Sequence, residues 1–90
     1  MSANGTMPIS DLAPRSDNLT DYDHAHMTLY LRLFDAVESG ASMHEICEVL
    51  FKVDAHKEPE RARKMYDSHL ARAQWMTQHG YRKLLEGGNG

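Results

Sequence analysis

Gly40-Ala41-Ser42-Met43-His44-Glu45-Ile46-Cys47-Glu48-Val49-Leu50-Phe51 is the stretch whose reading decides the fold. Gly40 can take the left-handed conformation that closes a preceding helix. Ser42 with Glu45 forms a capping box: the Ser oxygen accepts an orphan backbone N–H, and the Glu side chain reaches back to the cap. A new helix therefore starts at Met43. Wound at 3.6 residues per turn, Met43, Ile46, Cys47 and Leu50 fall on one stripe, with Glu45 and Glu48 turned outward. A short amphipathic helix entered through a glycine corner is the first helix and elbow of a helix-turn-helix unit, which needs a helix before it and a longer one after it.

The preceding helix is capped by Thr20, carries Asp21 and Asp23 at its positive end, and runs to Ser39. Its core face is Tyr22, His26, Leu29, Tyr30, Leu33, Phe34 and Val37. Leu31 falls nearly opposite, as a large apolar residue on the outer face. The following helix begins near Glu58, with Pro59 in its first turn, and buries Ala62, Met65, Tyr66, His69, Leu70, Ala73 and Met76. It continues to Gln78 or His79 and is stopped by Gly80. Residues 81–86 add a short terminal turn. Residues 1–19, rich in Ser, Asn, Gly, Pro and Asp, read as a disordered tail, with the alternative that the Met7 to Leu12 segment docks as an extended strap. The expected architecture is all-α: a small three-helix helix-turn-helix-like domain over residues 20–86, a short C-terminal helical turn, a disordered N-terminal tail and a frayed tail over residues 87–90.

Trp75 lies well away from the core stripe of the third helix. Either Tyr81, Leu84 and Leu85 fold over it, or it is the anchor of a binding patch.

Ninety residues bound the chain to one small domain. No apolar run reaches membrane-spanning length and the start lacks the regions of a signal peptide, so a cytoplasmic protein is expected. The one cysteine, Cys47, sits on an apolar stripe and reads as core. The six histidines show no paired-ligand spacing: His24 and His26 fall on different faces, and His26 and His69 sit on apolar stripes. No metal site, cofactor site, phosphate loop, nucleophile elbow or acid/base pair is expected, and the enzyme class is set aside.

The net charge of −3 conceals an asymmetry. Asp11 to Glu48 hold eight acids against Arg15 and Arg32, a balance of −6, whereas Lys52 to Lys83 hold eight bases against four acids, a balance of +4. An acidic first half is a poor electrostatic footprint for gripping DNA.

Leu33-Phe34-Asp35-Ala36, the Gly40-Ala41-Ser42 corner, Glu45-Ile46, Leu50-Phe51 and Gly80-Tyr81-Arg82-Lys83-Leu84-Leu85 resemble a helix-turn-helix-like domain family of unknown function, found in regulators carried by integrative and conjugative elements. The resemblance covers about Tyr22 to Glu86. Within that family, the small stand-alone domain is most similar to quorum-sensing antiactivators. That resemblance implies a DNA-binding-like fold used to bind proteins, its partners being a TraR-type LuxR-family quorum-sensing regulator and the excision activator FseA, with repression of horizontal transfer as the outcome. Where DNA-binding members tend to be basic around the corner and second helix, this chain carries His44, Glu45 and Glu48.

Two functions follow. As an antiactivator, monomeric when free, the chain would bind activators through Leu31, Asp35, Glu38, Glu45, Glu48 and Trp75, with acids steering association and apolar residues supplying affinity. As a small DNA-binding repressor, it would use Arg61, Arg63, Lys64, Arg72, Arg82 and Lys83 on phosphates and bases.

Overall fold

A computed structural model describes residues 8–80. Among them the structure is all-helical, with no strand. The elements are α1 (Asp21–Ala25), α2 (Met27–Glu38), α3 (Met43–Ile46) and α4 (Pro59–Trp75); α3 runs on into a π-helical turn at Cys47–Phe51, and α4 into another at Met76–Gly80. The Tyr81 to Glu86 turn, and with it any cover over Trp75 by Leu84 and Leu85, lies outside the described residues.

Local chemistry explains each boundary. Thr20 and Asp23 exchange hydrogen bonds in a capping box, Thr20 N–H donating to Asp23 Oδ2 (2.9 Å) and Asp23 N–H to Thr20 Oγ1 (3.2 Å). The helix expected to run unbroken from there is interrupted at His26 (φ −115, ψ 24), whose N–H bridges the carbonyls of Tyr22 and Asp23. Asp23 and His26 nevertheless share the buried face with Tyr30 and Leu33, at spacings of three, four and three residues. At the far end of α2, Gly40 N–H donates to Val37 O (3.0 Å) and Ala41 N–H to Ala36 O (3.0 Å), the paired bonds of a Schellman motif with Gly40 at φ 87. The second capping box follows immediately, Ser42 N–H to Glu45 Oε1 (3.0 Å) and Glu45 N–H to Ser42 Oγ (3.2 Å).

The corner is testable. A Cβ added at Gly40 would meet nothing within 4 Å, so its penalty is that of the backbone alone. Gly40→Val should cost about 1–2 kcal/mol in a thermal or urea melt, more than Ser42→Ala, which removes only a cap worth about 1 kcal/mol. Negligible losses at both positions would place the elbow elsewhere.

α3 and its π turn together are the second helix of the expected three, α1 and α2 being the first; the π turn carries Phe51 inward beside Cys47, and Lys52 at φ 60 then reverses the chain. Val53 and Ala55 continue the core across the connection to α4, and Asp54 Oδ1 accepts from the N–H of His56 (2.8 Å) and of Lys57 (3.3 Å) to form the turn. Leu33, Ile46, Cys47, Phe51, Val53, Ala55, Ala62 and Met65 make the main core, while Tyr30, Ala73 and Met76 make a second cluster flanked by Leu19, Met27, Phe34 and Trp75. Cys47 is buried, as its stripe position implies, and burial pushes its thiol pKa up.

The N-terminal segment corrects the expectation of disorder over its described part. The strap alternative, raised for Met7 to Leu12, fits the described part of that segment, and the packing continues beyond it to Asn18. Ser10 N–H donates to the Tyr22 hydroxyl (3.0 Å), Ala13 N–H to Ser68 Oγ (3.1 Å), and Ala13 is buried while Ile9 covers the main core. Residues 1–7 lie outside the described residues.

Candidate functional site

The most constrained polar group in the domain is a buried ion pair between the first helix and the last. Asp23 is fully buried and Arg72 is 4% exposed. Arg72 Nε donates to Asp23 Oδ1 (3.0 Å) and one terminal nitrogen to Asp23 Oδ2 (2.6 Å); its remaining donors reach the strap carbonyls of Ser16 (2.6 Å) and Asn18 (2.9 Å). Tyr30 adds a hydroxyl bond to Asp23 Oδ1 (2.9 Å). Burial pushes the Asp23 carboxyl up, but the bonds from Arg72, Thr20 and Tyr30 outweigh it and hold the pKa below the ordinary carboxylate range. The guanidinium carbon lies 4.0 Å from the centroid of the Trp75 ring.

Beside this clamp a second polar chain ties strap to core. The Tyr22 hydroxyl, receiving Ser10 N–H, donates to His69 Nε2 (2.6 Å), while His69 Nδ1–H donates to the Met65 carbonyl (2.7 Å). The ring is therefore neutral with its proton on Nδ1. His26 stacks on Tyr22 at 4.3 Å, and its Nε2 is buried without a partner among the described residues. Both histidines expected in the core are there.

Burial pushes the His69 pKa below the ordinary histidine value; the nearby His26 adds to the depression and the Met65 carbonyl opposes it. A folded-state pKa below the unfolded one means that this contribution to stability is complete above about pH 6.5 and is lost as pH falls through the folded value. Urea midpoints should fall as pH drops below about 6.5, and His69→Gln should flatten that slope. A wild-type midpoint unchanged across the window would show that the ring is not buried neutral.

The candidate partner-binding residues separate into three places. Leu31, 64% exposed, shares one outer face of α2 with Asp35 and Glu38, at spacings of four and three residues. Glu45 and Glu48 are exposed on the second helix, where they line a cleft of about 460 Å3 with His44, Lys52 and His56; the Glu45 carboxylate is held by its capping bond. Val49, 60% exposed, is an apolar residue of that helix which the stripe argument passed over. Trp75 is neither bare nor sealed. It is half-buried at the second core cluster, against Arg72.

The candidate DNA contacts fare unequally. Arg72 is corrected, since it is buried and four hydrogen bonds commit it to Asp23 and the strap. Arg61 is exposed but paired with Asp11 (2.9 Å) and Glu58 (3.2 Å). Arg63 and Lys64 are exposed and enter no ion pair among the described residues. Arg82 and Lys83 lie outside the described residues. The signal for Arg72 was its place next to the buried Ala73; no local pattern pointed to Asp23, 49 residues away. Among the described residues no group of histidine, cysteine or acidic side chains could hold a metal, and no helix is long and apolar enough to cross a membrane.

Helices meeting at capped corners, with the longest helix last, make a small all-helical domain. The family model RovC_DNA-bd, described as "T6SS, Transcription factor, DNA binding domain", matches residues 6–86 of the chain. The chain belongs to this family, a class of transcription regulators and not of enzymes. No curated protein matches it. The match begins at residue 6 and so takes in the strap, in keeping with its packed position, and the family's description leans against the expectation of a protein without nucleic acid among its partners.

Proposed function

We propose that this domain regulates transcription by capturing activator proteins, in the manner of a QseM-type quorum-sensing antiactivator, and so restrains transfer of an integrative and conjugative element. The observation that carries the reading is the commitment of the bases on α4: Arg72 is buried against Asp23 and Arg61 is held by Asp11 and Glu58. The helix that would enter a major groove thus offers Arg63 and Lys64, with Glu60 and Asp67 also exposed on it. Grip on a duplex grows with the number of phosphates neutralised, and this helix neutralises few. Asp35, Glu38, Glu45 and Glu48 meanwhile remain exposed on α2 and the second helix, with Leu31 and Val49 as apolar companions. That composition suits the basic surface of a DNA-binding activator, of the TraR-type LuxR family or the FseA type, and raises the association rate. Co-purification with those activators at low salt is the test: recovery expected, and lost on Leu31→Ala with Asp35→Asn and Glu38→Gln. Empty pull-downs would overturn the reading.

A second reading, a DNA-binding repressor, rests on the family description. A mobility shift on the chain's own regulatory region that is specific, steeply salt-dependent and abolished by Arg63→Ala with Lys64→Ala would put this reading first.

A further inference from the structure

Between the strap and α4 runs a groove of about 530 Å3, within the roughly 300–1,000 Å3 typical of specific ligand sites. Its apolar lining comes from Leu12 and Pro14 on the strap and from Ala71 and Trp75 on α4. Leu12 is 58% exposed, so one wall of the groove presents a large aliphatic side chain to solvent. Trp75 at the far end is an anchor-type residue, steadied by the Arg72 guanidinium.

The rim is cationic in a chain whose net charge is negative. Arg15 from the strap and Arg63 and Lys64 from α4 line it, and none of the three enters an ion pair among the described residues, whose ion pairs are Arg61–Asp11, Arg61–Glu58 and Arg72–Asp23. Of the two carboxylates present, Asp17 lies in the field of Arg72, which leaves Asp67 to face three cations. Unpaired bases gathered around an apolar floor select a ligand that carries both negative charge and apolar side chains.

We propose that this groove docks an acidic, apolar peptide segment of a partner protein. Duplex DNA uses the groove less fully than such a peptide does, since its phosphates gain nothing from Leu12, Pro14 and Trp75. The site is chemically opposite to the acidic face of α2, so it is a second contact surface and stands whether or not that face captures an activator. An antiactivator with both would grip one partner at two points or two partners at once.

A random peptide library panned against the full chain tests the proposal. Enriched peptides should be net acidic with leucine or aromatic residues, and should perturb the emission of Trp75, the one tryptophan of the chain. Their affinity should fall by about tenfold or more in Arg63→Glu with Lys64→Glu and in Ala71→Glu, whose wild-type side chains are exposed. It should be unchanged in Asp35→Asn with Glu38→Gln, which alters the α2 face alone. Absence of enrichment, enrichment of neutral or basic peptides, or undiminished binding to the groove variants would overturn the proposal. So would displacement of the peptides by a mixed-sequence duplex that itself loses affinity in Arg63→Glu with Lys64→Glu, since the groove would then be a nucleic-acid surface.

Discussion

Arg72→Ala is expected to lower the stability of the domain by about 3–5 kcal/mol, because it leaves the Asp23 carboxylate buried without its partner. That is a large share of the roughly 5–15 kcal/mol that holds a natural domain folded. The side chain also supplies the two donors that hold Ser16 and Asn18, so the strap should loosen along with the helix contact. Urea unfolding gives the first readout and limited trypsin digestion the second, with cleavage after Arg15 expected to accelerate. The double variant Asp23→Asn with Arg72→Met should lose less than Arg72→Ala alone, since no charge is then stranded. A loss below about 1 kcal/mol for the single variant would show that water reaches the pair and that the clamp is not buried.

Leu33→Ala comes next, at about 2–5 kcal/mol, for Leu33 is fully buried where α2 meets the second helix and α4. Two positions earlier on the same helix, Leu31→Ala should change stability by no more than about 0.5 kcal/mol. The pair separates folding from contact: if Leu31 anchors an activator, its truncation weakens capture by about 2 kcal/mol or more with an unchanged melt. Similar melts for the two variants would mean that α2 is rotated from the face described.

These residues also show what a sequence discloses and what it hides. The corner was legible because its determinants are adjacent: Gly40, Ser42 and Glu45 make their bonds within a few residues of one another, and the same holds for the box at Thr20. The buried stripes of α2 and α4 were legible because helical periodicity is a local property. The strap was legible only as an alternative, because the bonds that tie it to the helices join residues 12 to 56 positions apart. Polar composition argued for disorder, and the Ser68 hydroxyl and Arg72 guanidinium reversed it by satisfying a strap N–H and two strap carbonyls. For the same reason Arg72 looked like a surface base. Its partner Asp23 looked like an ordinary first-turn acid, although its spacing to His26, Tyr30 and Leu33 puts it on the buried face. Exposure was read correctly at Leu31, whose angle on the wheel decides it; Val49 was left unassigned, although its angle falls beside that of Glu45, off the buried stripe.

The clamp bears on how the protein is made. Asp23 emerges from the ribosome 49 residues ahead of Arg72, which at roughly 5–20 residues per second is an interval of about 2–10 s. During that interval the Asp23 carboxylate has Thr20 and Tyr30 within reach but no cation to balance the charge it must eventually bury. The strap's bonds to Ser68 and Arg72 form only once α4 has followed, whereas Ser10 has its partner Tyr22 already in α1. A truncation that removes α4 therefore also removes the partners of Ala13, Ser16 and Asn18, and should loosen the strap as surely as Arg72→Ala does.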